Sequence, residues 1–73
     1  MKKYSVGVVG AMGAVGTEML KTLEQRDFPI EKIKPLDIAE NRGKKVTYKG
    51  EEVEVEVAEK GAFKDLDIAL FSA

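Results

Sequence analysis

A parallel α/β unit is the fold class that the sequence predicts, and three observations carry it. The apolar, β-rich run Tyr4–Val9 ends at a glycine, a helical period starts at Ala14, and a second strand-like run covers Ile33–Ile38. Strand, glycine turn, helix and strand make a βαβ unit, because parallel strands need a long, right-handed crossover between them. A β-hairpin and a final strand extend it. The expected architecture is therefore a truncated sheet with one main helix.

Each element has its own warrant. Tyr4–Val9 lacks alternation, as a strand buried on both faces does. From Ala14 to about Arg26, Val15, Met19, Leu20 and Leu23 share an apolar arc of about 140° at 100° per residue, while Glu18, Lys21, Glu24 and Gln25 face away. Asp27–Pro29 closes the helix, with Phe28 free to fold back on the core and Pro29 unable to continue the turn. In Ile33–Ile38, Pro35 confines the expected pairing to Leu36 onward, since proline in a strand belongs at an edge or at the first position. Glu40–Gly43 reads as a polar turn. Lys45–Tyr48 and Glu52–Val57 alternate with period two around Lys49-Gly50. That hairpin register sets Val46 against Val53 and Lys45 against Glu54, so apolar meets apolar and opposite charges meet. Gly61–Leu66 reads as a turn or single helical turn, and Ile68–Phe71 as a second continuous apolar strand. One helix covers only one sheet face, so Tyr4–Val9 and Ile68–Phe71 are expected to be bare on the other.

Composition narrows the chemistry. The 73 residues contain no Cys and no His, with 12 Lys+Arg against 13 Asp+Glu. Disulfides, thiolate nucleophiles, thiolate metal sites and the commonest general base are thereby removed. A net charge of −1 leaves no basic footprint for nucleic acid. No apolar run has the length of a membrane span or the pattern of a signal peptide, so a cytoplasmic setting is expected. A chain this short buries only about 60 % of the surface its unfolded form exposes, which favours a partner.

One motif carries function. Gly10-Ala11-Met12-Gly13-Ala14-Val15-Gly16 is a Gly-x-x-Gly-x-x-Gly turn between strand and helix. The first glycine permits the tight turn, the second lets backbone approach a pyrophosphate, and the third lets helix pack on strand. Free N–H groups and the positive helix end then hold the anion. The bland alternative is that the glycines only allow close packing. Asp37, about 20 residues further on, stands where an acidic residue accepts from an adenosine ribose 2′-OH, and a carboxylate there favours NAD over NADP. Arg42 and Lys44 pull the other way, since either could reach a 2′-phosphate. Glu52, Glu54 and Glu56 read as a solvated strand face, and Ser72 as a hydroxyl with no histidine to activate it.

Together these residues resemble a family. Lys3–Gly10, Gly13-Ala14-Val15-Gly16, Arg26-Asp27-Phe28-Pro29, Gly43-Lys44-Lys45-Val46, Lys49-Gly50-Glu51-Glu52 and Asp67–Ala73 resemble the N-terminal part of aspartate-semialdehyde dehydrogenase. The resemblance implies a Rossmann-like cofactor domain. It also implies an NADP-dependent reduction of aspartyl phosphate to the semialdehyde, on the route to lysine, threonine and methionine. The family's catalytic cysteine and histidine lie further along a much longer, dimerising chain. Two departures stand out. Met12 occupies the family's threonine position, and Ile38 and Glu40 occupy the Ser and Arg positions that hold the 2′-phosphate, which leaves NAD against NADP open.

The resulting expectation is a single dinucleotide-binding domain over residues 1–73, without catalysis of its own. Gly10, Gly13 and Gly16 receive the pyrophosphate, Ala11, Met12, Ala14 and Val15 add backbone contacts, and Asp37 or Arg42 meets the adenosine side. A homodimer closed through the bare sheet face is expected as well. The competing reading is an excised or engineered scaffold that keeps the fold and binds nothing.

Overall fold

The computed structural model describes residues 2–71. Ser72 lies outside them. Strand β1 (Tyr4–Val9) leads through the glycine turn into helix α1 (Ala14–Gln25) and returns as β2 (Ile30–Asp37). A 3-10 turn (Ala39–Asn41) then precedes the hairpin strands β3 (Lys45–Tyr48) and β4 (Glu51–Glu54). The short strand β5 (Glu56–Val57), a second 3-10 turn (Lys60–Phe63) and β6 (Ile68–Phe71) complete the order. The main sheet is β5-β2-β1-β6 with every neighbour parallel, so the predicted α/β unit with one main helix stands.

Three expectations change. Strand β2 starts at Ile30 rather than Ile33, ends at Asp37, and pairs with β1 from Ile30 against Tyr4 rather than from Leu36 onward. Pro35 is tolerated inside this ladder because strand residues alternate the direction of their polar groups. The carbonyl of Leu36 accepts from Gly10 N–H at 2.8 Å and so faces β1. The nitrogen of Pro35 therefore faces the other side, where β5 comes alongside only from Leu36.

The hairpin has the predicted register, with Val46 opposite Val53 and Lys45 opposite Glu54, but it forms a sheet of its own. The run Glu52–Val57 is broken at Val55, whose backbone bonds Lys44 O at 2.7 Å and Gly43 N–H at 3.0 Å while its side chain is fully buried. Only the two residues of β5 then reach the main sheet.

The second sheet face is not bare. Residues 58–67 cross it, with Leu66 set directly against Gly7 in the space a Cβ would need. Asp67 N–H donates to Ser5 O, and Ser5 N–H donates to the Asp67 carboxylate, both at 2.8 Å. The Lys34 ammonium donates to Ala62 O at 3.0 Å, and the Phe63 and Phe71 rings stack at 6.2 Å. Sequence patterning misses this cover because its residues do not alternate.

The helix packs its predicted face. Leu20 is buried with Val8, Ala11 and Tyr48, and Met19 and Leu23 pack against that cluster with Ile30, Ile33, Val46 and Val53. Burial of a side chain such as Val8 or Leu20 contributes about 1.5–3 kcal/mol. Val15 is the exception. It is 51 % exposed and borders, with Leu70, an apolar groove between α1 and β6. Asp27 closes the helix in the left-handed region at φ 50°, and Phe28 folds back so that its ring lies 6.0 Å from that of Tyr4.

Candidate functional site: the glycine turn at the end of the sheet

The turn is anchored before it is open. Gly10 adopts φ 84°, which a side chain resists, and this lets both Gly10 N–H and Ala11 N–H donate to Leu36 O at 2.8 and 3.1 Å. Gly13 N–H donates back to Gly10 O at 3.0 Å. Thr17 adds a brace, its hydroxyl donating to Gly13 O at 2.9 Å. Gly16 is demanded by contact, since a Cβ there would lie 2.7 Å from Gly10 C and 2.8 Å from Ala11 Cα. Rigid backbone cannot yield that space.

Gly13 differs from both. Its φ is −78°, open to any residue, and a Cβ would meet only Gly10 O at an ordinary 3.5 Å. It is the N-cap of α1, yet no side chain caps the helix and no acidic residue sits in the first turn. Among the described residues no acceptor meets the N–H groups of Ala14, Val15 or Gly16, the opening donors of the helix. Those donors, with the positive end of the helix, form a cradle suited to an anion.

Ala11 and Met12 behave otherwise than the sequence suggests. Ala11 is fully buried with its N–H turned to Leu36, and Met12 N–H donates to the Asp37 carboxylate at 2.9 Å. Asp37 ends β2 beside the turn and is only 9 % exposed. Its other oxygen accepts from Ile38 N–H at 2.8 Å. Burial pushes its carboxyl upward, but the N–H groups of Ile38 and Met12, the Asn41 side chain and the Lys44 charge outweigh that and hold it below the usual carboxylate value. Asp37 is therefore ionised at neutral pH.

Arg42 is not gathered into this group. It is exposed and lines a cavity of about 550 Å³ with Lys34, Glu54, Glu56 and Glu59. The structure thus brings Gly10–Gly16 and Asp37 together and places Arg42 in the neighbouring cavity.

Comparison with known proteins supplies the rest. Residues 5–73 match the family described as semialdehyde dehydrogenase, NAD binding domain. The chain belongs to this family. A semialdehyde dehydrogenase relative, the aspartate-semialdehyde dehydrogenase of Bacillus subtilis (strain 168), is 50 % identical over 68 residues, covering 93 % of this chain and 20 % of its own. That of Campylobacter jejuni is 45 % identical over 74 residues, covering 99 % of this chain and 22 % of its own. The crystal structure of aspartate semialdehyde dehydrogenase II from Vibrio cholerae, complexed with ASA, superposes with a TM-score of 0.91 at 36 % identity, over 99 % of this chain and 24 % of that one. The chain thus spans about a fifth of the length of such relatives. Among the described residues of this semialdehyde dehydrogenase domain, no helix is long and apolar enough to cross a membrane.

Within the domain, the sequence reading missed Thr17, Asn41 and the inward use of Asp37. Thr17 had a signal, because a threonine four residues after a carbonyl in a helix can bond back to it. The Asp37 bond to Met12 joins residues 25 apart and has no local signature.

Proposed function

We propose that the chain binds a dinucleotide, NAD or NADP, as a single Rossmann-like domain over residues 1–73. The pyrophosphate lies over Gly13 against the N–H groups of Ala14, Val15 and Gly16, with Gly10 shaping the turn. The adenosine ribose lies toward Asp37. Gly13 carries this reading. Its own fold places no demand for glycine there, while a ligand lying on the helix end needs the missing side chain. The family's name for the domain supports the ligand class.

NAD is the favoured form. Asp37 is ionised and Glu40 follows it in sequence, so a 2′-phosphate would meet carboxylates offset only by Lys44, while Arg42 opens toward the other cavity. Reductive dephosphorylation belongs to the longer relatives. With no Cys and no His, this chain acts as their cofactor-binding portion in a cytoplasmic setting, without turnover of its own.

Calorimetric titration with NAD, NADP and ATP tests the reading. NAD is expected to bind in the millimolar range or tighter, and Gly13→Val to abolish binding while the circular-dichroism spectrum is kept. Absence of binding by all three at millimolar concentration refutes it. A scaffold that binds nothing would behave that way, and then Gly13→Val would change nothing.

Self-association is a second reading. Among the described residues, Val15, Ile38 and Phe71 are the large apolar side chains left exposed, at 51 %, 58 % and 65 %. Sedimentation at high micromolar concentration is expected to show a dimer, and a monomer there ends that reading.

A further inference from the structure

The geometry points to Asp37 as a positioning residue, and we propose that its carboxylate staples together the two loops flanking the ligand crevice. This rests on the dinucleotide reading above and deepens it. One oxygen accepts from Met12 N–H at 2.9 Å, in the loop after β1. The other accepts from Ile38 N–H at 2.8 Å, at the start of the loop after β2. The Asn41 side chain on the 3-10 turn adds to the pull that holds the carboxylate ionised. A carboxylate offers about four lone-pair sites, so each oxygen of this one already holds a donor before any ribose arrives and still has room for another.

The consequence differs from a ribose contact alone. In the ribose role, Asp37 acts only through the adenosine hydroxyl. In the staple role it fixes the glycine turn, and through it the outward N–H groups of Ala14, Val15 and Gly16. Every ligand whose pyrophosphate lies on that turn then depends on Asp37, whatever its ribose carries. Hydrogen bonds to a charged acceptor are strong enough for such a role, particularly at a residue only 9 % exposed.

Two measurements decide it. The first uses the ligand-free wild-type chain. Met12 and Ile38 amide proton shifts are followed by NMR from neutral to acid pH, and both are expected to move in one common titration below the usual carboxylate range. If the two amides titrate separately, or Met12 does not move, the staple is refuted. The second compares wild type with Asp37→Asn, using NAD and its 2′-deoxyadenosine form. Asp37→Asn is expected to weaken both by about tenfold. Equal binding of the deoxy form by the two proteins overturns the proposal, because it assigns Asp37 to the hydroxyl alone. Should wild type bind neither ligand, the dinucleotide reading fails by itself, and the amide titration still decides the staple.

Discussion

The hairpin turn and the glycine turn both place glycine at positive φ, and they treat their backbone groups in opposite ways. At the hairpin, Lys49 and Gly50 have φ 51° and 80°, the mirror-image geometry that suits two-residue hairpin loops. The rest of the fold takes up this turn's donors: Lys49 N–H donates to Glu24 at 2.7 Å and the Lys49 ammonium donates to Asp27 at 3.1 Å, both at the end of α1. At the glycine turn, Gly10 has φ 84° and the inner donors are equally well held, but the outer ones are left without acceptors among the described residues. A turn that serves only the fold is tied down by the rest of the protein. A turn built for a ligand is rigid underneath and open above.

That contrast breaks first, and hardest, at Gly16. Gly16→Val drives a branched side chain into the Gly10 and Ala11 backbone, so chemical denaturation should show a loss of about 3 kcal/mol or more. Folding within 1 kcal/mol of wild type would mean that the close approach is not required. The hairpin should respond less. Gly50→Ala is expected to cost about 1–2 kcal/mol for a left-handed alanine, while dinucleotide affinity measured by calorimetry stays unchanged.

Acid sharpens the comparison from the side of the open turn. The Asp37 carboxyl is depressed in the folded state, so its contribution to stability is present above the unfolded pKa and is lost as pH falls through the folded one. Thermal melts from pH 6 downward should show a drop below the usual carboxylate range that Asp37→Asn flattens. The smallest effect is expected at Tyr48. Its hydroxyl is buried without a hydrogen-bond partner among the described residues, and burial pushes its ionisation upward. Tyr48→Phe should leave stability unchanged or raise it by about 1 kcal/mol in urea denaturation.

Much of the fold was legible wherever a feature depends on neighbours in sequence. The period of Met19, Leu20 and Leu23 located α1, and the pairing of Val46 with Val53 followed from a two-residue loop. What depends on distant chain was not legible. Pro35 is acceptable only because β5 begins one residue too late to need its missing N–H, and nothing near Pro35 says so. Leu66 covers Gly7 from an irregular segment with no period to detect. The candidate site divides in the same way. The three glycines announce their turn, whereas the inward bonding of Asp37 appears only when Met12 is brought beside it.

The pairing of β1 with β6 has a consequence for how the molecule forms. Val6 aligns with Ile68, and Ser5 bonds Asp67 across 62 residues of sequence. Strand β1 is thus flanked on one side by a strand that follows it only some 62 residues later. The β3–β4 hairpin can close within microseconds, but the long stretch between β1 and β6 must be ordered before their pairing returns any free energy. During synthesis β1 waits with one edge unpaired, and folding of the sheet is set by its slowest, most distant contact.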